Sequence, residues 1–200
     1  MDEAKRKAFI GRISHALGRH EVPNYVAPYP YEKGPQNSMY ADMTQDQIVD
    51  MFKSECEKVG TKYVTTDKAH LTETLLNEIK ERGGGKVIYP AGELTAEYKL
   101  EDAFKTVDSS EATFIKWDAS KGRQANIGIT FPVLGIAETA TVIQPSTVES
   151  GRSVGLLPLT HIAILHTNTI VPRMTQSMAT LRTVYNEAPA EFPSNVVHIS

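Results

Sequence analysis

Cysteine is almost absent from this 200-residue chain. The single thiol, Cys56, excludes an internal disulfide and fits a reducing compartment. It also excludes a self-contained iron–sulfur cluster, which takes about four thiolates, and a cysteine-rich zinc site. No apolar run approaches the roughly 20 residues that cross a bilayer. The N-terminus lacks the apolar core of a secretory signal, so the expected location is the cytoplasm. No glycine-rich dinucleotide fingerprint follows a strand, and no intrinsic cofactor is expected. A net charge of −3, with no basic stripe, leaves no footprint for nucleic acid.

Charge is also missing locally. The chain holds 21 Lys and Arg and 24 Asp and Glu, yet the 79 residues from Gly122 to Ser200 contain no Asp and no Lys. Their only charges are Glu138, Glu149, Glu187, Glu191, Arg123, Arg152, Arg173 and Arg182. A region so poor in charge has little ordinary solvated surface, and a charge kept beside its apolar strands needs a partner. Within it, Gly128, Gly135 and Gly151 punctuate β-type segments around Glu138, Arg152 and His161.

The length fits one α/β domain with extensions, residues 44–200, preceded by an appendage, residues 1–43. Residues 1–19 read as an amphipathic helix with Phe9, Ile10, Ile13 and Leu17 on one face and a basic remainder, suited to packing on its own domain or on a partner. Residues 20–43 alternate prolines (23, 28, 30, 35) with tyrosines (25, 29, 31, 40). They read either as a draped linker or as a subunit-wrapping arm that would make a homo-oligomer. Thr44 and Gln47 have capping-box spacing before the stripe Ile48, Met51, Phe52, Val59. A strand at Tyr63–Thr65, a helix capped by Asp67 and stopped at Gly83–Gly85, and a strand at Lys86–Tyr89 then give a strand–helix–strand unit, the pattern of a parallel crossover. The triple glycine precedes a strand instead of opening a helix, so it is a helix stop and not a phosphate loop. A short helix over 92–99, an irregular acidic stretch over 101–112, strands at 113–117, 125–131, 137–144 and 161–166, a helix over 173–186 and a strand at 196–199 complete the reading. Trp117 is expected in the core.

The candidate chemistry lies in the charge-poor half. Glu138 can serve as base or nucleophile if burial or a partner tunes it, or be an ordinary strand glutamate. Arg152, next to Gly151, suits bidentate capture of a carboxylate or phosphate, the glycine permitting close approach. His161 suits proton relay, or a structural bond at a strand end. Asn126, Thr139 and Thr141 offer neutral hydrogen bonds. Glu138, Arg152 and His161 are expected around one cleft at strand ends. His161 and His166 are five apart and face opposite sides of a strand, so no metal spacing is present.

These residues also carry a resemblance. Asn126–Thr130 (NIGIT), Ile136–Thr141 (IAETAT), Gly151-Arg152 and Leu157–Ala163 (LPLTHIA) resemble, in order, the signature of the lactate-utilisation protein C family, the LUD domain. The match is specific over 124–200 and looser before it. The resemblance implies a fold similar to the sugar-phosphate isomerase and coenzyme A transferase group: an α/β fold with a parallel-rich sheet flanked by helices. It further implies a part in oxidising L-lactate to pyruvate beside two iron–sulfur oxidoreductase proteins. The protein itself would then dock on those partners or bind a small anionic ligand. The alternative is an acyl-transfer or sugar-phosphate-type enzyme with catalytic Glu138. Two departures stand out. Ala140 replaces the family's usual glycine, and members typically continue past the His-Ile-Ser at which this chain stops, so any site completed by that further segment would be incomplete here.

Overall fold

The computed structural model describes residues 2–22, 25, 27–28, 34, 36, 38–118, 125–190 and 192–200. Two units are distinguished, Met1–Ser38 and Met39–Ser200. In the first, α1 (Glu3–Ala16) is capped by Asp2, whose Oδ1 accepts from the Ala4 amide at 3.2 Å. Phe9, Ile10, Ile13 and Leu17 are all exposed. Part of the expected proline–tyrosine arm, including Pro23, Tyr29, Pro30, Tyr31 and Pro35, lies outside the described residues.

In the second unit, α2 (Gln45–Lys58) opens on the predicted capping box. The Gln47 amide donates to Thr44 Oγ1 at 3.3 Å, and the Thr44 amide donates to Gln47 Oε1 at 2.8 Å. Ile48, Phe52 and Cys56 form its buried face, and burial pushes the Cys56 thiol pKa up. Residues 61–67 form no strand, which corrects the expectation for Tyr63–Thr65. The Tyr63 ring sits edge-on to Phe52, centroids 6.1 Å apart, so this segment is held by packing on α2 and not by a ladder. α3 (Leu71–Glu81) is not capped by Asp67. That carboxylate instead accepts from the His70 amide at 2.9 Å, closing a turn ahead of the helix. Gly83, Gly84 and Gly85 all have positive φ, and the Gly84 amide reaches back to the Ile79 carbonyl at 3.0 Å, the helix stop read from the sequence.

β1 (Gly85–Tyr89) follows, then α4 (Glu93–Glu97), α5 (Leu100–Phe104) and β2 (Ala112–Lys116). The expected irregular stretch is thus partly helical, because Leu100 and Phe104 lie one turn apart and are both buried. β3 (Ile127–Thr130) and β4 (Leu134–Ile136) come next. The expected strand 137–144 is interrupted by a 3₁₀ turn, Ala137–Thr139, and by Ala140 at φ 50°, before β5 (Thr141–Pro145). The Glu138 amide donates to the Pro172 carbonyl at 3.0 Å, which draws the backbone out of the ladder there. α6 (Ser153–Leu156), β6 (Thr160–Ala163), β7 (Ile170–Val171), α7 (Met174–Glu187) and β8 (Val196–Ile199) finish the chain.

The strands form two four-stranded sheets. The first, ordered β2-β1-β3-β6, is wholly parallel; the second, β7-β4-β5-β8, is mixed. On one face of the first sheet, Val87, Tyr89, Ile127 and Ile129 pack with Leu75 and Ile79 of α3 and with Tyr98, Leu100 and Phe104. Its other face carries α6. A side chain at Gly128 would run into the Val154 carbonyl and come within 2.8 Å of Pro158 Cγ, so glycine is what permits this contact. The second sheet has α2 on one face, through Val142 and Ile170, and α7 on the other, through Leu134, Ile136 and Ile143. The fold is α/β with a parallel sheet flanked by helices, as expected.

Ala140 yields the first prediction. An L-residue in the left-handed region pays roughly 1–2 kcal/mol that glycine does not, partly offset by glycine's greater unfolded-state entropy. Ala140→Gly should therefore stabilise the protein by about 0.5–1 kcal/mol, raising Tm by about 1–4 °C at this size. Thermal denaturation followed by circular dichroism measures it, and a lowered Tm would contradict the strain argument.

Candidate functional site

In the first sheet the chain leaves β1 for β2 on one side and then crosses to β3 on the other. The crevice outside the carboxyl ends of β1 and β3 is therefore a topological switch point, where open α/β sheets take ligands. Tyr89 and Thr130 end those two strands. Trp117, just after β2, donates its amide to the Tyr89 carbonyl at 2.8 Å.

The loop between β5 and α6 is brought to this crevice. The Ala91 amide donates to the Glu149 carbonyl at 3.0 Å, and Gly92 leaves room for the Glu149 side chain. Thr147 Oγ1 accepts from the amides of Glu149 and Ser150, at 3.2 and 3.1 Å, curling the loop into a tight turn. Gly151 lies flat against the Trp117 indole, whose Nε1 donates to Ser153 Oγ at 3.1 Å. Trp117 is thus half-buried under this loop, not deep in the core as expected. Ser150 is only 6 % exposed, and its hydroxyl has no partner among the described residues. Arg152 follows, exposed at the N-cap of α6; its carbonyl accepts from the Leu156 amide at 3.2 Å, and its side chain makes no hydrogen bond or ion pair among the described residues.

The other sequence candidates distribute differently. His161 lies under α6: its Nε2 is 2.7 Å from Thr130 Oγ1, and Gly155 of α6 sits against the ring. Burial lowers the imidazole pKa, which favours the neutral ring. Asn126 is exposed at the amino end of β3, opposite the crevice. Glu138, Thr139 and Thr141 belong to the β4–β5 turn of the second sheet. Glu138 Oε2 accepts from Arg173 Nε at 2.9 Å, with the carboxylate 31 % and the guanidinium 23 % exposed. Arg173 also places Nη1 3.2 Å from Met39 Sδ. Thr139 and Thr141 hydroxyls are 2.7 Å apart, and Thr141 is 2.6 Å from the Ser200 hydroxyl.

No hydrogen bond or ion pair among the described residues joins Glu138, Arg152 and His161. Arg152 and His161 share the surroundings of α6, whereas Glu138 is engaged by Arg173. Sequence reading missed Arg173, which stands 35 positions from its partner. The one available signal was scarcity, since Glu138 has only four arginines to choose from after Gly122. Among the described residues no group of three or more His, Cys, Asp or Glu is placed to hold a metal ion. None of their helices is long and apolar enough to cross a membrane.

A parallel sheet flanked by helices, with a topological switch point between β1 and β3, defines an α/β class of protein. Residues 49–200 match the LUD domain, and the chain belongs to the LUD domain family. It is 37% identical over 185 residues to lactate utilization protein C of Bacillus licheniformis, covering 88% of this chain and 77% of that protein. The protein of the same name from Bacillus subtilis is 36% identical over the same shares. That of Anoxybacillus flavithermus is 31% identical over 96% of this chain and 90% of its own. The crystal structure of a DUF162 family protein from Deinococcus radiodurans superposes with a TM-score of 0.60 at 18% identity, covering 79% of this chain and 89% of that one, a likeness of fold.

The His161–Thr130 bond makes the second prediction. Thr130 is fully buried, so Thr130→Val leaves the ring nitrogen without its partner at nearly constant volume. The expected loss is about 1–3 kcal/mol in urea unfolding at neutral pH. Because the folded pKa is lowered, His161 withholds no stability above about pH 6.5, the unfolded value, and costs stability as pH falls below it toward the folded value. His161→Gln should remove that part of the slope, and an unchanged slope between about pH 7 and 5 would contradict it.

Proposed function

We propose that this protein serves lactate utilisation, as a component of L-lactate oxidation to pyruvate beside iron–sulfur oxidoreductase proteins. It takes a small anionic ligand at the switch-point crevice. The first part rests on the names its relatives carry. The second rests on one observation: Arg152 is exposed at the N-cap of α6, its side chain makes no bond among the described residues, and it lies in a half of the chain that keeps few charges. A planar guanidinium forks onto a carboxylate through two parallel hydrogen bonds. The same oxygens of a phosphate would be read the same way. Val148, Leu156, Leu157 and Leu159 are exposed around the loop and α6, which suits docking of a partner protein over the bound ligand.

A second reading, an acyl-transfer or sugar-phosphate-type enzyme with catalytic Glu138, draws on the half-exposed carboxylate beside Arg173. It gains little from fold likeness, which does not transfer chemistry.

Titration calorimetry with L-lactate, pyruvate and inorganic phosphate separates the two readings. Arg152→Lys keeps the charge and loses the fork, so binding should fall about tenfold or more. Tm should stay unchanged, because the side chain is exposed and makes no bond among the described residues. Growth on lactate should fail in a host relying on this variant. Glu138→Gln should instead lower stability by about 1 kcal/mol, the scale of a partly exposed pair, and leave binding intact. Unimpaired binding and growth with Arg152→Lys, combined with loss of both in Glu138→Gln, would transfer the site to the second sheet.

A further inference from the structure

Helix α7 covers one face of the second sheet with an unusual set of residues. Ser177 is fully buried, and Leu181 packs on Leu134, Ile136 and Ile143. Met174, Met178 and Tyr185 instead stand 43%, 50% and 52% exposed. With half-buried Leu181 they form one stripe, spaced four, three and four residues apart. That is the spacing of an apolar seam between two helices.

Charge selects what can cover it. Between Met174 and Glu187 only Arg182 and Glu187 are charged. A partner surface with charges would have to strip them of water against methionine and tyrosine, without counter-ions. A charge-poor face meets this condition, and the residues after Gly122 keep few charges. The stripe itself meets it. Its spacing reads the same in both directions, so a twofold axis passing between Met178 and Leu181 sets Met174 against Tyr185 of a second copy and Met178 against that copy's Leu181. An isologous contact requires such self-complementarity, and thioether against aromatic ring is a favourable match. Arg182 then falls opposite the uncharged turn Thr175–Ser177, so the two arginines do not confront each other.

We propose that α7 is a self-association surface, through which two copies pair antiparallel along Met174, Met178, Leu181 and Tyr185. The helix has 14 residues, about 21 Å in length. Such a stripe buries less than the roughly 800 Å² per partner of a standard interface. The dimer is therefore of micromolar strength and dissociates on dilution.

Sedimentation velocity of the full chain from about 1 to about 200 µM tests the proposal. The sedimentation coefficient should move from monomer toward dimer over that range. Met178→Glu, at an exposed position that tolerates glutamate in a helix, should weaken association at least about tenfold. Thr180→Glu, on the exposed side away from the stripe, should leave it unchanged. Circular dichroism establishes that each variant is folded. A second arm tests the geometry: Met174→Cys and Tyr185→Cys proteins, mixed and mildly oxidised, should cross-link to each other far more than either does to itself. The native Cys56 is buried and does not compete. A monomer at every concentration, a dimer indifferent to Met178→Glu, or equal cross-linking of each cysteine variant alone would overturn the proposal.

Discussion

Between β3 and α6 there is no side chain at Gly128, and the Val154 carbonyl occupies the space a Cβ would need. The helix is pressed onto the strand backbone, and much of the molecule's useful geometry depends on that approach. It places the residues just before α6, Ser150 to Arg152, at the carboxyl end of the first sheet, where Gly151 rests on Trp117. It seals His161 beneath Gly155, leaving Thr130 as the imidazole's partner. It also turns Gly155 toward Ile199 of the second sheet, whose Cδ1 would lie 3.2 Å from a Cβ added at Gly155. A larger residue at Gly128 would lift α6 and loosen all three arrangements together. Backbone-to-backbone contact of this kind tolerates almost no relaxation, because neither side has a rotamer to move.

Much of this was legible in the sequence because it depends on local chemistry. The capping box at Thr44 and Gln47, the triple-glycine stop and the strands around Ile127 and Ile162 follow from spacing and residue type alone. The elements misread are those in which a distant residue decides. Tyr63 packs on Phe52 instead of joining a ladder. The strand through Glu138 breaks because Pro172 accepts its amide. The division into two sheets is settled by pairings such as Gly135 with Ile170, separated by 35 positions. Of the expected group Glu138, Arg152 and His161, the last two flank α6. Glu138 does not, since its partner is Arg173.

Ala140 carries two constraints at once. A glycine there would permit positive φ without strain, and this chain adopts the conformation with alanine, at φ 50°. The 3₁₀ turn before it and the ladder after it fix both flanks, so the strain cannot relax without dismantling the β4–β5 connection. Small size is retained because Ala140 lies in the core with Ile48 and Phe52 of α2. Both constraints, left-handed backbone and restricted volume, act at this one position.

The groups around Arg152 and Glu138 do not touch, yet they are mechanically in series. α6 carries Arg152 at its start and Gly155 in its middle, and Gly155 meets Ile199. The next residue, Ser200, shares a hydrogen bond with Thr141, and Thr141 shares one with Thr139, the neighbour of Glu138. Two of these links are hydroxyl contacts below 3 Å, and at the third a Cβ added at Gly155 would come to 3.2 Å from Ile199 Cδ1. Packed interiors transmit displacement through such contacts because they leave little free volume to absorb it. A displacement of α6 would therefore bear on β8 and, through it, on the turn that holds Glu138.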